Sequence, residues 1–584
     1  MVSKTKSRLA FFKNDPLSPD RSLDMLLLIS GLYGFISGAV FYPCWQVAAE
    51  GAQVIAGLVK YPSNNPFYIY QIKAWTLLHQ IPALGLRLGL TEKFLSIFLS
   101  GVMGLLSLQA LTLSVYALCR NLWFSLAAGI LIYITVSYSL GVNYPIYLTG
   151  TSATYGSIGL SFLFVAVTLL TTERIRWGAF MLGLSPAVHA ALGALGILTV
   201  LVAILMEWKK NESLRRNFLP FFALGIAFSL CSYSFQWPLI RSIPSADGAL
   251  AKQYFSAFIR HWDSHRKPIS FSEPGVVVNG VVFFLSTVWL WRFRKDLSPG
   301  SNLMMRIYQI ATALSLLFSA LSWLPPESLP LWFLSLMSTR LLNFTILGFP
   351  GIVLGLWSVH KKNPQALTLL VLAALLLSEL TNRFSFIVLV LLIAQNVLKK
   401  KNEIDFKSYL QKIPRFFLMA GGVMALGIIL RFGVFMVRFY EFRSKQNWNY
   451  WQNDPFYQKV SEGKGLLLLA PDLYMQQLLT RRPVLIDGQA LDMLAYALEG
   501  GPEIYRILKE VYRIDLFSPP EEVNGTAVLP SESEKLLLEN RGTEEWKKIR
   551  REFGVTQFLI SKGSAVPLAR LASNDEYELY EIPQ

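Results

Sequence analysis

Charge is scarce in this chain: Asp, Glu, Lys and Arg make up 16% of its 584 residues, while 53% are hydrophobic. Soluble domains carry markedly more charge, so an ordinary soluble protein is excluded. Cysteine is almost missing. Cys44, Cys119 and Cys231 stand far apart, which rules out a disulfide framework and any zinc-type spacing. The familiar soluble-enzyme signatures are also missing, with no phosphate-binding Gly-rich loop, no GxSxG and no HExxH. No short apolar core follows Met1 directly, so no cleavable signal peptide is expected. No convincing repeat or low-complexity tract occurs. Acids are thinnest near the start, where Glu50 is the only one between Asp24 and Glu92.

What is present is a series of apolar blocks of the length needed to cross a hydrocarbon core of ~30 Å. Full spans are expected at roughly 25–43, 96–118, 122–141, 156–172, 218–238, 275–291, 306–323, 341–359 and 416–437. The formal net charge of +16 sits largely in short basic clusters between these blocks. That is the pattern of residues held on the cytoplasmic side during insertion, and nucleic acid is not an expected partner. Blocks 178–207 and 366–397 have basic residues at both ends and are too short for two full crossings, so each is expected to be a short-helix hairpin that enters and returns. Their tips are Ser185–His189 and Ser378–Arg383, and irregular backbone at such depth needs a protein or aqueous lining. Segment 66–86 is apolar, but a crossing there would place Arg120, Arg174, Lys209 and Arg292 outside. It is therefore expected to lie along the interface. Glu379 and Arg383 are four apart and are expected to form a structural pair on one helix face.

After residue 438 the charge rises and the apolar runs shorten. Strands are expected at 465–471, 484–487, 556–560 and 577–582, with helices at 502–511 and 544–553. The organisation expected is a cytoplasmic tail, 1–24; a membrane domain, 25–437, with outer loop 44–95; and an extracytoplasmic α/β domain, 438–584. The fold class is a polytopic α-helical membrane protein of about nine full spans and two short-helix hairpins, closed by that α/β domain.

Few residues offer chemistry. Glu50 follows the first span, where it reads either as a general base or metal ligand, partial burial raising its carboxyl group towards the working range of a base, or as a helix-start acid favoured by the macrodipole. His261-Trp-Asp-Ser-His265-Arg266-Lys267 reads either as a phosphate- or metal-binding run or as a solvated loop. Arg340 opens a span at its outer end, against the inside bias, where it suits a lipid phosphate or snorkels to headgroups. His189 sits at a hairpin tip. Tyr147, in loop 142–155, offers a hydroxyl and a stacking face to a sugar. His79 reads as amphipathic decoration on the interfacial helix.

Taken together, a first span leading to Glu50-Gly51, then Gly57, Tyr61-Pro62 and His79-Gln-Ile-Pro82, short hairpins with Ser185-Pro-Ala-Val-His189, and an α/β tail resemble the GT-C superfamily of membrane glycosyltransferases. The resemblance implies transfer of a sugar from a polyprenyl-phosphate carrier to a glycan, lipid or protein acceptor on the outer face of a bacterial inner membrane. It implies Glu50 as base, with Arg340, Arg266, His265, His189 and Tyr147 binding phosphate and substrate. Ala49 stands where the family often has a second acid, so no metal and no cofactor is expected. The alternatives are a non-catalytic envelope binding protein on the same scaffold, or a transporter of lipid-linked glycans.

Overall fold

The computed structural model describes residues 19–41, 46–135, 142, 155–373 except 246, 264, 361, 362, 364 and 371, and 454–584 except 489, 524, 526, 530–536, 539 and 540. The expected span 416–437, most of hairpin 366–397 including Glu379 and Arg383, and Tyr147 lie outside the described residues. Two compact units are distinguished, Met1–Val359 with Pro455–Gln584, and His360–Asp454. The second lies largely outside the described residues.

The membrane portion of the first unit is mostly helical. Its helices run α1 Pro19–Phe41, α2 Gln46–Ala56, α3 Pro66–Lys73, α4 Leu77–Arg87, α5 Glu92–Cys119, α6 Leu122–Thr135, α7 Tyr155–Thr171 and α8 Ile175–Val188. They continue as α9 Ala190–Glu207, α10 Glu212–Arg241, α11 Gly248–His261, α12 Pro274–Arg292, α13 Pro299–Leu321, α14 Leu331–Ser335 and α15 Leu341–His360. Among the described residues, seven helical segments are long and apolar enough to cross a membrane: Asp20–Ala39, Glu92–Cys119, Ala190–Glu207, Glu212–Arg241, Pro274–Arg292, Pro299–Leu321 and Leu331–His360. The expected spans at 122–141 and 156–172 appear as the shorter apolar helices Leu122–Tyr133 and Tyr155–Thr171. Block 178–207 breaks at His189, whose backbone is extended (φ −152°, ψ 104°) between α8 and α9. It is asymmetric, because α9 alone reaches spanning length while α8, with Pro186 inside it, does not. Segment 66–86 forms the short helices α3, capped by the Asn65 side chain, and α4, which starts after Thr76, and neither reaches spanning length.

Helix α5 is central and packs against α1, α6 and α7. Its contact with α1 depends on small residues. A Cβ at Gly34 would lie 2.4 Å from the Gly104 carbonyl oxygen, and one at Gly38 would lie 2.1 Å from that of Ser100. Gly34 and Gly38 are four apart on α1, as Ser100 and Gly104 are on α5, which is the spacing that lets two membrane helices bring their backbones together.

The C-terminal portion contains α16 Pro455–Ser461, β1 Leu466–Leu469, α17 Gln476–Thr480, α18 Gly501–Glu510, α19 Thr543–Phe553, β2 Val555–Ser561, β3 Ala569–Ser573 and β4 Tyr577–Glu581. The sheet order is β1-β2-β4-β3. The β1–β2 pair is parallel, with Leu468 opposite Phe558, and the other two pairs are antiparallel. Leu467, Leu468, Phe558, Leu559, Ile560, Leu579 and Trp546 are buried between this sheet and the helices. Two expectations differ. Val484–Asp487 makes only an isolated bridge, Val484 to Leu467, because one register contact replaces a strand pairing. Strand β3, a five-residue exposed edge, was not expected from the sequence.

The C-terminal portion docks on α2–α5 through buried polar contacts. Gln477 Nε2 donates to the Glu50 carbonyl oxygen (2.9 Å), and Gln53 Nε2 donates to the Leu478 carbonyl oxygen (3.0 Å) and to Glu92 (3.0 Å). The Tyr61 hydroxyl donates to Gln477 (2.6 Å) and accepts from the Val484 amide (3.1 Å), while Asn65 Nδ2 donates to the Leu485 carbonyl oxygen (2.9 Å). Arg481 engages Glu92 with two hydrogen bonds, 2.9 and 3.1 Å.

Replacing Gly38 by Leu should force α1 off α5. The cost expected of such overpacking is at least ~1–3 kcal/mol, read as a lower melting temperature of the detergent-solubilised protein. Gly280→Ala, inside α12 where a Cβ meets nothing within 4 Å, should not lower the melting temperature and is expected to raise it slightly, since Ala is the better helix former.

Candidate functional site

A cavity of about 560 Å³ opens where α3, α4, the α8–α9 break, α10 and the start of α15 meet the C-terminal segment 490–500. Arg340, which ends the turn Ser338–Arg340 just before α15 and is buried, lines it. Arg340 Nη1 lies 3.0 Å from His189 Nε2, and Nη2 donates to the Tyr496 hydroxyl at 2.9 Å. A guanidinium has donors only, so His189 must present a lone pair at Nε2 and carry its proton on Nδ1. The Leu192 amide also points at Nδ1, at 3.3 Å; a neutral imidazole has one acceptor nitrogen, so it satisfies only one of these two donors, and the shorter charge-assisted contact from Arg340 takes it. The position of His189 is itself fixed by packing, since a Cβ on Gly159 would lie 2.5 Å from the His189 Cβ. A neutral histidine and a tyrosine thus help to fix the guanidinium plane.

Asp492 also lines this cavity. It lies in the 3-10 segment Ala490–Ala495 and is half-buried, and its Oδ1 has no hydrogen-bond partner. Burial raises its carboxyl pKa, the Asp263 carboxylate raises it further, and Arg266, His265 and Arg340 pull it back. A half-buried carboxyl group poised above its ordinary range, with an unused acceptor, is equipped to take a proton.

Aromatic and polar side chains complete the walls. His79 Nε2 lies 2.6 Å from the Tyr155 hydroxyl and Nδ1 lies 2.9 Å from Thr76 Oγ1, with the His79 and Tyr155 rings stacked at 4.9 Å. Burial pushes the His79 pKa down to about 4, so the ring is neutral at physiological pH. Lys73 forms an ion pair with Glu499 (2.6 Å), and Trp75 meets Tyr233 edge to face at 5.4 Å. Val188, Ile240, Leu336 and Leu498 add apolar surface. The cavity is therefore amphiphilic, with a cationic centre, one carboxyl group, several aromatic faces and an apolar side.

Of the residues singled out in the sequence, Arg340 and His189 meet here. Glu50 is not among the lining residues. It is 4% exposed on α2, beneath the docked C-terminal portion, and its Oε1 has no hydrogen-bond partner. Burial holds its carboxyl pKa well above 4.5; Asp487 adds to the rise, and a hydrogen bond from the Leu478 amide opposes it. Gly51, the next residue, allows α2 to approach His79, because a Cβ there would lie 2.4 Å from Gln71 Oε1 and 2.7 Å from His79 Cδ2. His265 and Arg266 fall outside this cavity. The His265 amide donates to Asp263 (2.7 Å), and the Arg266 guanidinium pairs with Asp263, donates from Nε to the Leu334 carbonyl oxygen (2.8 Å) and covers the Tyr496 ring at 5.6 Å. The run 261–266 is not a solvated loop tip. Trp262 is fully buried and donates to the Leu516 carbonyl oxygen at 2.9 Å. Among the described residues no group of three or more His, Cys, Asp or Glu is arranged to hold a metal.

Asp492, Tyr496 and Lys73 were not singled out from the sequence, whereas Tyr155, which ends the loop 142–155 read as a sugar-binding stretch, does line the cavity. Asp492 had one available signal, an acid shortly after the apolar run 484–487, since loops that follow strand-like segments of α/β domains often carry binding groups.

The protonated form is the one the fold accepts at Glu50. Its contribution to stability is full below its ordinary pKa of 4.5 and declines as pH rises from there towards the raised folded value. Glu50→Gln, which cannot ionise, should hold its melting temperature over a pH series from 5 to 9 better than wild type does, with the two closest at the acid end. A parallel decline in both proteins would count against the buried neutral carboxyl.

Comparison with models of known families, with curated proteins and with solved structures yields no match to this chain.

Proposed function

We propose that the protein is a membrane transferase that moves a sugar from a lipid-phosphate carrier to an acceptor hydroxyl, in the manner of a GT-C-type glycosyltransferase. The observation that supports this reading best is the placement of an oriented guanidinium, Arg340, and a half-buried carboxyl group, Asp492, in one amphiphilic cavity with aromatic walls. A polyprenyl-phosphate sugar has the matching chemistry: an anion for Arg340, a sugar ring for the faces of Trp75 and the tyrosines, and a hydrocarbon chain for the apolar side.

In the transfer, the acceptor oxygen bonds to the anomeric carbon as the bond from that carbon to the phosphate oxygen breaks. Asp492 takes the acceptor proton. The phosphate leaves with the bonding pair, and its charge is met by Arg340, with Lys73 nearby once released from Glu499. His189 and Tyr496 are positioning residues, since they hold Arg340 and carry no proton in this step. The base in this reading is Asp492 and not Glu50, because a base must reach the proton it removes and Glu50 does not line the cavity. The acceptor, the sugar, the bacterial inner membrane and an outward-facing C-terminal portion belong to the same proposal. Cytoplasmic nucleotide sugars would not reach an outward site, which favours a lipid-linked donor.

A second reading is a binding protein for the same ligand, favoured by the fact that Arg340 and Lys73 already have protein partners.

Full-length protein in nanodiscs, supplied with short-chain polyprenyl-phosphate hexoses labelled in the sugar, should release label from the carrier. Asp492→Asn is expected to lower that rate ~10²–10⁴-fold, the usual worth of a general base, with carrier binding retained. Glu50→Gln should keep near wild-type turnover. Arg340→Gln should lose carrier binding and turnover together. Carrier binding without turnover in wild type would favour the binding protein, and loss of turnover in Glu50→Gln alone would return the base to Glu50.

A further inference from the structure

Arg266 does not line the cavity, yet three of the pieces that build its wall meet at this guanidinium. Asp263, 0% exposed, pairs with Nη1 from the same loop. Nε donates to the Leu334 carbonyl oxygen at 2.8 Å. That carbonyl also accepts from the Met337 amide (3.3 Å), and the Met337 carbonyl accepts from the Arg340 amide (2.8 Å). The turn that presents Arg340 is therefore built on the group Arg266 holds. The guanidinium carbon lies 5.6 Å from the centre of the Tyr496 ring, and the Tyr496 hydroxyl bonds to Arg340. The Phe255 ring, at 5.4 Å, gives the guanidinium a second aromatic contact.

Charge adds a fourth link. Burial works against the charged guanidinium, and Asp263, Tyr496 and Asp492 together keep it charged. Arg266 in turn draws the Asp492 carboxyl back towards its ionised form. Arg266 Nη2 and Asp492 Oδ1 both lack a hydrogen-bond partner, so this attraction leaves the Asp492 acceptor unused. Asp263, His265 and Arg340 are the other charged groups that act on Asp492, the first raising its proton affinity and the other two lowering it. Segment Ala490–Ala495 packs against α3, α11 and 498–500. From α3 comes Lys73 and from 498–500 Glu499, which pair with each other. From α11 come Lys252, Tyr254, Arg260 and His261, of which Arg260 pairs with Glu327.

We propose that Arg266, locked by Asp263, is a positioning residue for the cavity: from behind the wall it fixes the turn that carries Arg340 and the Tyr496 ring that holds Arg340, and it stands as a counter-charge to Asp492. The inference rests on the reading of Asp492 as the group that takes a proton in the cavity. The two members of the ion pair act on Asp492 with opposite sign, and this separates positioning from structural support alone. Loss of the Asp263 carboxylate removes a repulsion and releases Arg266 towards Asp492, so Asp263→Asn should move the Asp492 titration to lower pH. Loss of the guanidinium removes an attraction, so Arg266→Gln should move it to higher pH. Damage to packing would move both variants the same way.

Infrared difference spectroscopy of the full-length protein in detergent reads these shifts without substrate. The carboxyl C=O stretch that Asp492→Asn lacks is followed over a pH series in wild type and in each variant. Arg266→Lys, which keeps the charge, should titrate closer to wild type than Arg266→Gln does. Glu327→Gln, which removes an exposed carboxylate from Arg260, should titrate as wild type. Shifts of the same sign in Asp263→Asn and Arg266→Gln, or no shift in either, overturn the proposal. Arg266→Gln strands Asp263 without its partner, which is costly for a buried charge. If that variant does not fold, Asp263→Asn decides alone, and an unmoved or raised titration overturns the proposal. In nanodiscs supplied with the labelled polyprenyl-phosphate hexose, the low-pH limb of turnover should follow the same two shifts. Opposite infrared shifts with no turnover in wild type would uphold the positioning role and remove the transferase reading. Turnover with unshifted titrations would keep that reading and remove Arg266 from it.

Discussion

The structure of the first unit depends on a buried layer of side-chain hydrogen bonds between α2–α5 and the segment 476–485. Gln53 and Gln477 are fully buried, and each bonds to backbone of the opposite portion as well as to the other. Amides taken out of water without partners cost several kcal/mol, so these groups admit one docking position and penalise its neighbours. Glu92 ties the layer together by accepting from Gln53 and pairing with Arg481, and Tyr61 bridges Gln477 and Val484. The position of segment 490–500 follows from this docking. Without it Tyr496 would not reach Arg340, and Asp492 would not share a cavity with it.

The same docking explains the division of labour among the carboxyl groups. Glu50 lies within the layer, where burial and Asp487 favour its neutral form and the protein packs around it. Asp492 lies at the edge of the layer, half-buried, with cations on several sides. The first arrangement suits a structural group and the second suits a group that exchanges protons. Arg340 is oriented by neutral His189 and Tyr496, and its charge acts on the Asp492 carboxyl in the same cavity.

Much of the helical architecture was legible in the sequence because the bilayer imposes a length and a hydropathy that single segments must meet. The first span and the break near His189 were read from apolar length, flanking basic residues and proline, whereas segment 66–86, read as one interfacial helix, is divided into α3 and α4. Elements of the C-terminal portion with strong periodicity, such as α18, α19 and β2, were legible for a related reason. Strand β3, a five-residue exposed edge, was not. At the site, Arg340 and His189 stood out as charged or polar residues where apolar ones are the rule. Asp492 and Tyr496 did not, because in a polar segment an acid and a tyrosine are unremarkable until something packs beside them.

The sequence by itself determined that this chain contains helices able to cross a membrane, where many of them begin and end, and that an α/β segment follows. Those properties arise from interactions within a segment or between a segment and its solvent. Only the tertiary structure decided that Glu50 is enclosed, that Arg266 is held in a buried ion pair with Asp263, and that residues from 70 to 498 line one site. Burial, pairing and access depend on which distant surfaces meet. In this protein that choice rests on a few amide and hydroxyl groups whose partners lie more than 400 residues away.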